Sequence, residues 1–158
     1  MGFELIPLAS AFVLQQAVNE VIKCNDYTAK FGLVLTSAQA LELVETRSVA
    51  LNENGRIEFG GGVIDKIIEK FCGSPYISMH NYTRTIHELL EIFYYYKNET
   101  LDIVSDDDLI KYMKTAYDGI CQGSLDLLKG RELARLARNL RFGYRYDYSE
   151  DEEDEDEQ

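Results

Sequence analysis

The 158-residue chain is 46% hydrophobic, with 11 Tyr and 7 Phe, so it can bury one core of ordinary size without covalent staples. Its formal charge of −12 excludes a uniformly acidic body, because nine of the 28 acids fall in residues 147–158 and leave 19 acids against 16 bases before them. Three widely spaced cysteines exclude a disulfide framework, and no apolar run approaches the roughly 20 residues of a membrane helix.

The first predicted helix covers Ser10 to about Cys24, with Leu14, Ala17, Val18, Val21 and Ile22 as its inner stripe. Asn25-Asp26-Tyr27 punctuates it, and Leu33–Leu35 reads as a short buried strand or an apolar connection. Thr36-Ser-Ala-Gln39 has the spacing of a capping box, opening a helix with Leu41, Val44, Ser48 and Leu51 on one side. Asn54-Gly55 stops that helix, and the alternation in Arg56–Phe59 suits a short strand. Gly60-Gly61-Gly62 allows a tight turn with close backbone approach before a helix over Val63–Phe71.

The central pattern runs from Thr83 to Lys97. Tyr82, Ile86, Leu89, Leu90, Phe93 and Tyr96 recur at three- and four-residue steps on one face, while His80, Arg84, His87, Glu91 and Tyr95 point the other way. Asn81 is placed to cap its first turn. Ser105-Asp-Asp-Asp108 sets three carboxylates at the positive end of a further helix, whose inner stripe is Leu109, Met113, Ala116 and Ile120. Gly119 and Gly123 mark its end. Ser124 opens the last helical region, interrupted at Gly130, resumed through Leu133, Leu136, Ala137 and Leu140, and ended by Gly143. From Asp147 onward like charges repel with nothing to bury, so a disordered tail is expected.

No reaction assembles from these residues. His87-Glu88-Leu89-Leu90-Glu91 lacks the second histidine of a zinc-protease helix, and neither His80 nor His87 follows a glutamate at the Glu-x-x-His spacing of di-metal bundles. The triple glycine is followed by no Gly-Lys-Ser/Thr, and Asp65 in the first turn would repel a phosphate. Cys24, Cys72 and Cys121 read as small core residues and reduced thiols, which points to a cytoplasmic protein. No serine stands in a nucleophile elbow, and helix capping accounts for Asp106–Asp108. The start, Met1-Gly-Phe-Glu-Leu-Ile-Pro7, fits neither a secretory signal nor, with Ile6, the myristoylation pattern. The expectation is therefore no catalytic residue, no cofactor and no metal.

The most informative surface is the C-terminal helix, where Lys129, Arg131, Arg135, Arg138, Arg141 and Arg145 supply six of the 16 bases. One reading is a site for nucleic acid or another polyanion, masked by the acidic tail. The plainer reading is an exposed helix with cations at its negative end, followed by a solubilising tail.

The words Gly55-Arg-Ile-Glu-Phe-Gly60, Phe71-Cys-Gly-Ser-Pro-Tyr76, Phe93-Tyr-Tyr-Tyr-Lys-Asn-Glu99 and Ser105-Asp-Asp-Asp-Leu109 resemble a small bacterial family of unknown function. The resemblance covers most of residues 31–142. It implies a bacterial cytosolic protein and carries over no activity and no functional residue.

The sequence thus predicts a mainly α fold. A single helical domain of five to seven helices spans residues 1–146, with room for a minor β-hairpin between Leu33–Leu35 and Arg56–Phe59, and residues 147–158 form the tail. The leading function is a non-catalytic module that binds another protein, with Arg131, Arg135, Arg138, Arg141, Arg84, His87 and Tyr95 as partner-binding residues. The alternative is a nucleic-acid or polyanion binder using residues 129–145. No membrane association is expected.

Overall fold

A computed structural model describes residues 8–58 and 60–142. Helix α1 is Leu8–Lys23, and a short α2, Asn25–Thr28, runs into a 3-10 turn at Ala29–Phe31. Then come α3 (Ser37–Asn54), α4 (Gly62–Phe71), α5 (Tyr82–Glu99) and α6 (Asp106–Asp118). The last region starts as α7 (Leu125–Leu127), widens into a π-helical stretch at Leu128–Glu132 and continues as α8 (Leu133–Arg141). The expected stop at Gly143, Arg145 and the acidic tail lie outside the described residues.

Helix α5 is the hub, flanked by α3, α4, α6 and α8. Its periodic face, Tyr82, Ile86, Leu89, Leu90, Phe93 and Tyr96, is buried as the spacing requires. Thr85, Ile92, Tyr94 and Lys97 are buried too, because helices cover it on more than one side. Phe93 and Tyr94 meet edge to face with ring centroids 5.0 Å apart, a favoured aromatic geometry. Lys97 ends inside the fold, where Nζ donates to the Val104 carbonyl and pairs with Asp106 Oδ1 at 2.9 Å, tying the end of α5 to the start of α6. The turn between them holds Leu101 and Asp102 in the left-handed region, with φ of 57° and 59°.

Capping follows the sequence at three helices. Thr36 and Gln39 complete the capping box of α3, Ser105 accepts from the Asp108 amide, and Ser124 accepts from the Leu127 amide. Asn81 does not cap α5: its side chain accepts from the Ser78 amide and donates to the Tyr76 carbonyl, bracing the preceding loop.

The minor hairpin does not form, and there is no strand among the described residues. Leu33 and Leu35 are buried in an extended connection, but the Asn25 side chain takes the place of a pairing strand. Its Oδ1 accepts from the Leu35 amide at 2.8 Å and its Nδ2 donates to the Leu35 carbonyl at 2.9 Å. Residues 56–58 instead reach sideways: Arg56 grips both oxygens of Asp102, and Glu58 accepts from the Val63 amide.

Three stripes sit differently from the periodicity, and in α1 the departure is Leu14, which is exposed while Ala17, Val18 and Val21 are buried. Helix α3 buries Ala40, Leu43, Val44, Arg47, Ala50 and Leu51, leaving Ser48 exposed and Leu41 half-buried, because α1 and α5 both pack against it. Ile120 is exposed because α6 ends at Asp118, before its turn could face inward.

Candidate functional site

The predicted interaction residues fall on two surfaces with opposite electrostatics. On α8 and the stretch before it, the cations are largely committed to the fold. Glu132 is 4% exposed, and its two oxygens take Arg131 Nε at 2.9 Å and Arg135 Nη2 at 2.8 Å. Arg141 reaches across to Glu99 at 2.8 Å, while Arg138 is exposed. A buried carboxylate held by two guanidinium groups is a structural clamp, since its charge needs partners inside the protein. The sequence signal for it was available: an acid beside Leu133, on the apolar side of the helix and one and three residues from arginines.

Arg84, His87 and Tyr95 lie on the other surface. They occupy the edge of α5 that packs beside α3, and the two helices frame a groove. It consists of adjoining hollows of about 590 and 400 Å³ that share Thr46, Val49 and Glu91, so they run on continuously along the helix pair. From α3, Glu42, Glu45, Val49 and Glu53 recur at helical spacing along one wall. From α5, Arg84, His87, Glu88, Glu91 and Tyr95 form the other, and Leu125, Asp126 and Lys129 close one end. Val49 is 57% exposed and Tyr95 49%, so the groove offers apolar surface to a partner. Six carboxylates (Glu42, Glu45, Glu53, Glu88, Glu91, Asp126) face two cations (Arg84, Lys129). The groove is acidic.

His87, expected on the wet face, is half-buried against α3. The Thr46 hydroxyl lies 2.9 Å from the Glu42 carbonyl and shares a hydrogen bond of 2.8 Å with His87 Nδ1. The other nitrogen, Nε2, turns to Glu91 Oε2 at 3.5 Å. His87 therefore pins the groove floor. His80 is exposed in the loop before α5.

A third cluster surrounds the glycine turn. Gly60 and Gly62 have φ of 60° and 48°, and the Gly61 amide donates to Glu20 Oε1 at 2.7 Å. A Cβ on Gly62 would lie 2.8 Å from Arg47 Nη1, which is the close approach the triple glycine implied. Arg47 is 4% exposed and stands 3.6 Å from Glu58 Oε1. Burial pushes the Asp65 carboxyl up to about 6, with Glu20 adding to the rise and the hydrogen bond from Cys24 opposing it. Burial first, and then Asp65, push the Cys24 thiol up to about 12, the reverse of what a nucleophile needs. Carboxylates of the chain itself fill the anion-favouring start of α4. Cys24, Cys72 and Cys121 are all buried and unbridged.

Among the described residues no three His, Cys, Asp or Glu side chains are grouped to hold a metal ion, and no helix is long and apolar enough to cross a membrane. No curated protein and no solved structure matches the chain. One family does match, over residues 20–146, a span that includes the glycine turn, both walls of the groove and the clamped arginines. The chain belongs to that family of unknown function, DUF6323.

Proposed function

We propose that this protein is a non-catalytic interaction module that docks another protein in the groove between α3 and α5. The observation that carries the reading is the groove itself: exposed Val49 and Tyr95 on a floor pinned by the Thr46–His87 bond, bordered by charge. Apolar anchors within a polar rim are the anatomy of specific protein interfaces. Three buried, unbridged cysteines suit a reducing, cytoplasmic setting, and the resemblance noted above suits a bacterial one.

The polyanion reading has less support. Arg131 and Arg135 are turned onto Glu132 and Arg141 onto Glu99, so the basic stripe presents less free charge than its composition suggests. The groove would repel a polyanion outright.

A photo-reactive residue placed at Val49, or separately at Tyr95, tests the docking reading in living cells of the source organism. The expected result is one discrete protein adduct from both positions, absent when the probe sits at Thr115 on the exposed side of α6 and lost from Tyr95 when Val49→Asp is added. Adducts equal at all three positions would overturn it.

A further inference from the structure

The charge of the groove says what kind of partner fits it. We infer that the occupant is a cationic amphipathic helix, a Lys/Arg-rich segment of a partner protein that inserts an apolar stripe between Val49 and Tyr95. This inference rests on the docking reading above and adds to it the chemistry of the partner.

Shape comes first. Helices α3 and α5 are both 18 residues long, so the seam between them runs for roughly 27 Å, the length of five helical turns. A partner helix lying along such a seam presents side chains at i, i+4 and i+7 to it, which is the helix-in-groove mode of recognition. Val49 and Tyr95 supply the exposed apolar contacts, with Leu125 behind them at the closed end.

Charge then selects among helices. A neutral helix seated here would strip water from the carboxylates and return no partner for them, whereas lysine and arginine stems can cover apolar surface and place their charges at the rim. An acidic helix would be repelled. Glu45 and Glu53 are exposed, stand two turns apart on α3 in the two hollows and make no ion pair within the chain among the described residues, so their charge is open to an incoming cation. Elsewhere Glu132, Glu99, Asp102 and Asp106 each hold a cation of the chain. The groove is where acids outnumber bases at the surface of apolar contacts.

The test uses the full chain and three fluorescent synthetic helices of one leucine spacing, their polar positions filled with Lys, Gln or Glu. A fourth peptide has the composition of the Lys helix with its leucines scrambled, which controls for the attraction of any polycation to a chain of charge −12. The Lys helix is expected to bind at least about tenfold more tightly than the Gln helix or the scrambled peptide, and the Glu helix not at all, with the advantage shrinking as salt rises. Val49→Asp should abolish binding, and Glu45→Lys with Glu53→Lys should reverse the order of the Lys and Glu helices. Glu45→Gln with Glu53→Gln, equal in shape and uncharged, keeps the test valid if the reversal disturbs folding, and should bring Lys and Gln helices to within about threefold. Equal binding of all three helices, or of the scrambled peptide, overturns the inference. A groove that yields a discrete adduct in cells yet fails to rank the peptides keeps the docking reading and loses the cationic partner. Self-association of the protein alone that Glu45→Lys with Glu53→Lys disrupts would assign the groove to a second copy and overturn the inference as well.

Discussion

Asp65 is the residue whose chemistry departs furthest from what its letter suggests. Its carboxyl is lifted to about 6 by burial and by Glu20, so the folded protein holds a proton there that the unfolded chain gives up near pH 4. Its contribution to stability is fully present below that point and is lost as pH rises through 6. Asp65→Asn removes the titration while keeping the shape. The variant should match the parent near pH 4 and exceed it by roughly 1–2 kcal/mol at pH 7, as read from urea midpoints. A parent that equals the variant at pH 7 would mean Asp65 is better solvated than its packing implies. Nothing local in Gly-Gly-Val-Ile-Asp identifies this environment, since Glu20 comes from α1 and Cys24 from the residue that follows it. Buried partnerships between distant segments are what a one-dimensional reading cannot reach, and Glu132 is a half-exception because its arginines are neighbours in sequence.

At the scale of elements, three of the four expected caps and most of the periodicity were readable, whereas the role of Asn81 and the inter-helix geometry were not. Thr36 and Gln39 announce the start of α3, and removing the cap by Thr36→Ala should lower stability by about 1 kcal/mol in thermal or chemical unfolding. No change would mean that tertiary packing alone holds the first turn. The inner face of α5 was legible because large residues at three- and four-step spacing leave one solution. The inner face of α3 was legible at Val44 and Leu51 and missed at Ala40, Arg47 and Ala50, whose periodicity is faint beside that of larger apolar residues. The absent hairpin has a similar cause. Leu35 looks like a strand residue until Asn25, ten positions away, satisfies its backbone.

For the whole molecule, charge is arranged rather than merely abundant. Composition suggested a basic helix masked by an acidic tail, but Glu132 and Glu99 already engage three of its arginines, Arg131, Arg135 and Arg141, from within. Deleting residues 147–158 should therefore leave the protein unretained on heparin at physiological ionic strength, where the Debye length is about 8 Å. Retention that Arg135→Glu and Arg138→Glu abolish would restore the polyanion reading. The groove went unrecognised as such because it belongs to two helices at once. Arg84, His87 and Tyr95 were correctly placed on the outer side of α5, yet only the position of α3 turns that side into a concave wall.

The wide turn at Leu128–Glu132 has a consequence for how this chain tolerates changes in length. A π-helical stretch closes its hydrogen bonds one residue later than an α-helix, here from the Leu133 amide to the Leu128 carbonyl. The Lys129 carbonyl is thereby available to the Tyr96 hydroxyl of α5, and the Glu132 carbonyl accepts from Tyr112 of α6 at 3.4 Å. The stretch acts as a socket for tyrosines from two other helices. Shortening the chain by deleting Gly130 would restore ordinary α spacing, turn α7 by about 100° against α8, and withdraw the socket from both plugs. Gly130→Ala, which meets nothing within 4 Å, should be harmless by comparison. A calorimetric scan that finds the deletion several degrees less stable than the alanine variant would identify this as a length-sensitive joint, where a frameshift of one residue matters more than the residue itself.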